Sequence, residues 1–298
     1  MAARLKVYAH YRSQPSRALL WLLKMKDVPF DLVPMSGVGG DPDKPEYRLR
    51  FPCGTIPAIE IAPAPVGTPP TVDVDGSGGA GGVGPLRLWE SHAVMTYFCN
   101  TRGWTDLYPA DPLRRAYVDQ WLHWHHATLR HCTWDIWRPV MQKALLKMDG
   151  VDLPTSFAKG KANLRSCLNV MTHAGLLEPV PDAAAMPLSE PVMGAPHGPA
   201  IPFTTRPRHD FLAGPTATLA DVALYCEIDQ LHAMGLLGAW GFDAEFPAVA
   251  PWVRRMEALP CHDEVRAVMR AVVADVQPVV DAAVAALAAA EAKKAASA

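Results

Sequence analysis

Leu-Lys-Val-Tyr-Ala-His-Tyr-Arg-Ser-Gln-Pro-Ser-Arg-Ala-Leu-Leu-Trp-Leu-Leu-Lys-Met, residues 5–25, changes its hydrophobic period within one short loop. Residues 4–9 alternate as a strand does, whereas Pro15 to Met25 set Ala18, Leu19, Leu22 and Leu23 on one face of a helix. Pro15 suits a first helical position, where its fixed φ helps and its missing N–H costs nothing. Outward from this strand-loop-helix unit, Phe30–Pro34 reads as a second strand, and 36–45 as a Gly/Pro/Asp-rich loop. Residues 56–61 and 86–90 read as paired strands, and Ser91–Thr101 as a helix. Pro109-Ala-Asp-Pro112 is punctuation, so a first domain over 1–103 and a second over 112–298 are expected.

The second part is helical throughout. Val118, Leu122, His125, Leu129, Cys132, Ile136 and Val140 recur at spacings of three and four, predicting one long helix from Leu113 to Leu146 with Trp121, Trp124, Trp134, Trp137 and Met141 on a neighbouring face. Further helices are expected at 155–177, 247–259 and 262–295, the last capped by Asp263 and kinked at Pro278. Thr218-Leu-Ala-Asp221 has the spacing of a capping box ahead of the apolar run Val222–Leu237. Two stretches lack this order. Residues 62–85 hold seven Gly and five Pro, and 178–209 hold eight Pro, so both are expected to be inserts in loop or disordered form, and Ala282–Ala298 is an Ala-rich tail.

Composition narrows the function. With 28 Lys+Arg against 30 Asp+Glu and no basic run, nucleic acid and anionic membrane surfaces are unsuitable partners. Six scattered cysteines without a C-x-x-C pair give neither a zinc knuckle nor a dithiol motif and fit a reducing compartment. His123, His125, His126 and His131 can share a helix face, but no carboxylate or thiolate set accompanies them, so no metal is expected. No secretory leader and no uninterrupted apolar span is visible, which makes a soluble cytoplasmic protein the expectation.

Five motifs, in order, resemble theta-class glutathione S-transferases. They are Ser13-Gln-Pro-Ser-Arg-Ala18, Thr55-Ile-Pro-Ala58, Glu90-Ser91, the run Arg114–Arg130, and the capped helix at Thr218. The resemblance covers roughly 4–61, 86–177 and 210–275. It implies an α/β thioredoxin-like N-terminal domain that binds glutathione, an all-α C-terminal domain, an electrophile held between the two, and a homodimer.

The chemistry such a site must perform is thiol activation. A free thiol with a pKa of about 8.5 is mostly protonated at neutral pH, and lowering it by about 2 units takes roughly 2.7 kcal/mol of preferential anion binding. A hydroxyl donor beside a helix N-terminus supplies an amount of that order. By resemblance Ser13 is that donor; read from its position alone it equally caps the helix. Tyr11, two residues earlier, is the second candidate, because other classes in this superfamily use a first-loop tyrosine. By resemblance the Ile56–Pro57 bond is cis and Ile56 holds the cysteinyl backbone of glutathione, with Thr55 beside it. Glu90 and Ser91 would hold its γ-glutamyl ammonium and carboxylate; the bland alternative is an N-cap with a solvated glutamate.

The pattern departs from the family in the loop Gly40-Asp-Pro-Asp-Lys-Pro-Glu46, which lacks the expected cation for the glycyl carboxylate, leaving Lys44 to substitute. Phe51-Pro52 also stands where Asn-Pro is usual. Arg130 matches an arginine directed toward the sulfur and the leaving group, or else makes a surface salt bridge; Arg17 is expected to pair across the domains. The resemblance therefore implies an enzyme that joins glutathione to a small hydrophobic electrophile (an alkyl or aryl halide or an epoxide) or reduces an organic hydroperoxide. A non-catalytic ligand-carrier or assembly module is the alternative. A thiol oxidoreductase needs a first-loop cysteine where this chain has Ser13.

Overall fold

The computed structural model describes residues 5–36, 40–62, 85–180, 204–207 and 209–296, with 177–180 and 204–207 as backbone. Most of both expected inserts, and the end of the Ala-rich tail, lie outside the described residues. The chain forms two compact units, Met1–Tyr108 with Pro260–Met269, and Pro109–Leu259 with Arg270–Ala298.

In the first unit, β1 (Leu5–Ala9), β2 (Asp31–Pro34), β3 (Ala58–Ile61) and β4 (Leu86–Trp89) form one sheet in the order β2-β1-β3-β4. The β1–β2 pair is parallel, joined through α1 (Gln14–Met25), and β3 runs antiparallel to both β1 and β4. Leu19, Leu20, Trp21, Leu22 and Leu23 are all buried, so α1 is covered on more than its apolar face. Trp21 Nε1 donates to the Pro260 carbonyl at 2.7 Å, and Lys24 pairs with Glu264 at 2.7 Å. Behind the sheet end, Tyr8, Tyr47 and Phe51 pack edge-on or tilted with centroids 5.0–5.9 Å apart, alongside Met35 and Ala58. The loop expected at 36–45 contains a 3-10 turn at Asp41–Asp43 and leads into a single helical turn, α2 (Pro45–Arg48). The unit's last sheet strand is followed by α3 (Ser91–Arg102), ended by Gly103 at φ 67°.

In the second unit the expected long helix is interrupted. α4 (Pro112–Trp124) passes through a π-helical turn at His125–Leu129 into α5 (Arg130–Ala144), although every residue of the predicted stripe from Val118 to Val140 is buried. The wider turn shifts the helix face without breaking the ladder. α6 (Leu153–Val170) likewise ends in a π-helical turn, Met171–Leu176. Then β5 (Leu177–Val180) pairs antiparallel with β6 (Thr204–Pro207), which corrects the expectation of loop at both ends of the second insert. Here backbone pairing supplies what side-chain periodicity did not signal.

α7 (Leu219–Ala233) is buried from Leu219 through Leu231 and is the centre of this unit. α8 (Leu236–Ala239), α9 (Phe242–Glu245) and α10 (Val249–Glu257) follow. The capping box at its start is present as expected. Asp221 does more than cap: its buried carboxylate accepts from Thr218 N (2.9 Å), Thr218 Oγ1 (2.9 Å), Leu212 N (2.8 Å) and Trp252 Nε1 (2.9 Å). Burial pushes this carboxyl above its ordinary range against the pull of those four donors.

α11 (His262–Ala296) continues through Pro278, and Asp263 stands inside its first turn, not at the cap expected from sequence. By length and composition it could cross a membrane, with a mean hydropathy of 1.6 over its most apolar window, although Asp275, Asp281 and Glu291 leave no uninterrupted apolar stretch of membrane-spanning length. Valine and alanine supply that hydropathy, and Val273, Val276, Val280, Ala283 and Leu287 recur at helical spacing as a buried face.

Removing the Asp221 carboxylate strands two backbone amides and an indole N–H in the interior. Asp221→Ala is expected to lower the unfolding free energy by about 3 kcal/mol or more, read from urea denaturation, with Asp221→Asn less damaging.

Candidate active site

Strand direction decides where the candidate residues lie. Because β3 is antiparallel to both neighbours, the row Tyr8↔Ala58↔Trp89 aligns the C-terminal ends of β1 and β4 with the N-terminal end of β3. Three loops therefore leave the sheet at one end: 10–13 after β1, Thr55–Pro57 before β3, and Glu90 after β4. The parallel strand β2 ends there too, where Met35 N donates to the Ala9 carbonyl at 3.1 Å, and its loop leads to Lys44. Ser13, Thr55, Ile56, Pro57, Glu90 and Ser91 are thus brought to one sheet end, and α1 and α3 both begin there with no acidic residue in their first turns. Two helix N-termini favour negative charge at that end, although Glu90 is itself the N-cap of α3.

Ser13 is half-buried and is the N-cap of α1, with extended backbone (φ −83°, ψ 124°). Its hydroxyl oxygen accepts from Ser16 N at 3.4 Å. A hydroxyl that accepts still has a proton to give, so capping and donation to a ligand are compatible roles. The loop is held from beneath by Arg17, only 2% exposed, whose guanidinium donates to the carbonyls of Tyr11 (3.2 Å) and Arg12 (3.4 Å) and contacts Met269 Sδ at 3.2 Å. Through these contacts, all within the first unit, Arg17 shapes the Ser13 loop. Beside Ser13 the buried amide nitrogen of Gln14 makes no hydrogen bond among the described residues. Sequence reading passed over Gln14; flanked by Ser13, Ser16 and Arg17, it carries no local signal of burial.

Pro57 is buried, and the Ile56–Pro57 bond is cis, as the resemblance implies. Thr55 is exposed; its carbonyl accepts from the Tyr47 hydroxyl at 2.7 Å, which ties the pre-Pro57 segment to the aromatic cluster. Phe51 is wholly buried in that cluster, which explains how it replaces a polar residue without loss of the turn. Lys44 is exposed and bonded to Asp41 Oδ1 at 2.6 Å, so its ammonium is held on the loop surface and its pKa is raised by that carboxylate. The same pair, with Ser36, draws Asp41 down to about 2.

Glu90 occupies φ 68°, ψ 110°, a left-handed region that a residue with a Cβ rarely adopts, immediately before buried Ser91 at the start of α3. Such strain is maintained where the surrounding structure requires a particular direction of chain or side chain.

Arg130 belongs to the second unit. Its guanidinium pairs with Glu227 at 3.1 Å and stacks over Trp134, 5.2 Å from the ring centroid. Glu227 is fully buried on α7 and also meets His125 Nε2 at 3.2 Å and the Thr133 hydroxyl. Burial pushes this carboxyl up, but Arg130 and the His125 and Thr133 hydrogen bonds outweigh it and hold the group below its ordinary value. His125 is thus a core histidine bonded to a carboxylate, while His123, His126 and His131 are exposed.

Comparison with known proteins bears out the resemblance. Residues 202–260 match the family model for the glutathione S-transferase C-terminal domain. Glutathione S-transferase T2 of Arabidopsis thaliana is 26% identical over 89% of this chain, and T1 of the same plant is 34% identical over 43% of it. The chain spans 37% and 44%, respectively, of the lengths of these two plant proteins. Human glutathione S-transferase theta-1 is 26% identical across 85% of this chain and 82% of its own. Two solved human structures, the apo form of T1-1 and theta-2 in complex with glutathione, each superpose with a TM-score of 0.62. They cover 94% of this chain and 99% and 98% of their own, at 23% and 21% identity. The chain has the glutathione transferase fold, a thioredoxin-like domain followed by helices, and its sequence relatives include theta-class members.

Glu227→Gln keeps the shape of the buried network and removes its charge. Because the carboxyl is depressed in the folded state, its contribution is present above the unfolded value of 4.5 and is lost as pH falls below it. Urea unfolding of the variant at neutral pH is expected to show a loss of about 1.5–3 kcal/mol, with a flatter stability profile below that pH than the parent.

Proposed function

We propose that this chain is a theta-like glutathione transferase in which Ser13 stabilises the thiolate of glutathione. The supporting observation is a hydroxyl at the N-cap of α1 whose oxygen accepts from Ser16 N while its proton remains to be donated, at the sheet end shared with Ile56–Pro57 and Glu90–Ser91. In this reading glutathione lies extended at the start of β3, with the Ile56 backbone on its cysteinyl group. Ser91, at the N-terminus of α3, takes the γ-glutamyl carboxylate and Glu90 the ammonium. Lys44 releases Asp41 to meet the glycyl carboxylate, with Thr55 beside it, and the Gln14 amide donates to the peptide.

Ser13 O–H and the α1 N-terminus then favour sulfur as the anion. The thiolate attacks an electrophilic carbon, displacing a halide or opening an epoxide to an alkoxide that stays on the product and takes up a proton. Alternatively it attacks the terminal oxygen of a hydroperoxide, giving a sulfenic acid of glutathione and an alkoxide that is protonated to the alcohol, and a second glutathione converts the sulfenic acid to disulfide and water. Arg130, oriented by Glu227, offers a cation for the developing negative charge. A cytoplasmic homodimer without a metal cofactor, acting in detoxification on small hydrophobic electrophiles, completes the proposal.

Calorimetry of glutathione binding at several pH values, with thiolate absorbance recorded in the same samples, tests it. For a bound thiol lowered by about 2 units, Ser13→Ala is expected to cut the thiolate fraction at pH 7 from about three-quarters toward the roughly 3% of an unshifted thiol, with the α1 N-terminus retaining part of the shift, and to reduce proton release. Tyr11→Phe should leave both unchanged. Full thiolate formation in Ser13→Ala would remove the serine from its role, and no binding at millimolar glutathione would favour a non-catalytic module.

A further inference from the structure

Where α5 and α6 pack together in the second unit, two thiols meet that the glutathione chemistry does not use. Gly160 on α6 lies so near the Ile136 side chain on α5 that an added Cβ would collide with it, so the helices approach closely here. One turn before Ile136, the Cys132 thiol donates to the Gly160 carbonyl at 3.8 Å, and Cys167, two turns along α6 from that glycine, lines the same cleft as Cys132. Both cysteines are unbridged and nearly without exposure. They nonetheless form the floor of a cleft of about 230 Å3 walled by Ala127, Thr128, His131, Asn163 and Ser166. Ala127, Thr128 and His131 are exposed at its rim, the first two carried there by the π-helical turn.

We propose that Cys132 and Cys167 form a dithiol site for a trivalent monoorganoarsenical, with arsenic bound by both sulfurs and its organic substituent housed in the cleft. The reaction is R–As=O plus two Cys–SH giving R–As(S–Cys)2 and water. Two As–S bonds form, both thiol protons leave with the oxygen, and arsenic stays in the +3 state, so no oxidant is needed. The burial of the pair selects this class of ligand. The neighbouring Cys167 thiol and desolvation push the Cys132 thiol well up, with Glu227 and Asp135 adding to the effect. A soft metal cation requires thiolates, and forming them is costly there, whereas the arsenical consumes two neutral thiols and leaves a neutral product.

Phenylarsine oxide added to the folded, full-length chain is the probe, with intact-mass analysis as the readout. One adduct per chain is expected to survive excess 2-mercaptoethanol and to be removed by 2,3-dimercaptopropanol. Cys132→Ser and Cys167→Ser should each weaken retention about 100-fold or more, because one sulfur loses the chelate advantage. Cys53→Ser and Cys261→Ser should change nothing. Alkylation mapping of the unsubstituted protein, which depends on no variant, should find Cys132 and Cys167 protected by the arsenical. Ser166→Phe, which fills the cleft, should weaken the phenyl adduct more than a methyl one. An adduct that 2-mercaptoethanol strips, that forms only in denaturant, or that protects other cysteines would overturn the proposal.

Discussion

The antiparallel run of β3 between β1 and β4 is the constraint on which the candidate site depends. Had β3 run parallel to its neighbours, Ile56 and Pro57 would leave the sheet at the end opposite Ser13 and Glu90. With the observed register, the Tyr8, Ala58 and Trp89 row gathers three loops and two helix N-termini at one end. Backbone dipoles and amides then act together there, which scattered side chains on a surface do not achieve.

The loops are fixed by groups that have no direct part in thiol chemistry. Arg17 is drawn out of water to hold the carbonyls of Tyr11 and Arg12, and Tyr47 reaches from the aromatic cluster to the Thr55 carbonyl. Burying a guanidinium is tolerable only when its donors are used, so its presence beneath the loop marks a place where chain direction matters. Glu90 makes the same point through backbone strain at a non-glycine residue.

The second unit is organised around α7, a helix too buried to show a clear apolar stripe. Two of its three interior carboxylates, those of Asp221 and Glu227, are used differently. Asp221 binds neutral donors and joins the loop at Leu212 to Trp252, while Glu227 faces a cation, an imidazole and a hydroxyl. The arginine that sequence singled out at 130 is thus bound to an acidic partner 97 positions away. No local pattern could reveal that partner, because charge pairing across helices leaves no period in either.

By itself the sequence determined most of the helices and the strands of the first unit. The change of period between Ala9 and Pro15, the stripe from Val118 to Val140 and the Thr218–Asp221 spacing are local features, written in neighbouring residues and legible without a fold. The motifs at Ser13, Pro57 and Glu90-Ser91 also carried the family resemblance. Tertiary structure alone decided the rest: the π-helical turn at His125–Leu129, the pairing of 177–180 with 204–207, the buried Glu227 network and the meeting of Cys132 with Cys167. Each depends on contacts between residues far apart in the chain, whose energies are set by packing and desolvation in three dimensions and leave no mark on local periodicity.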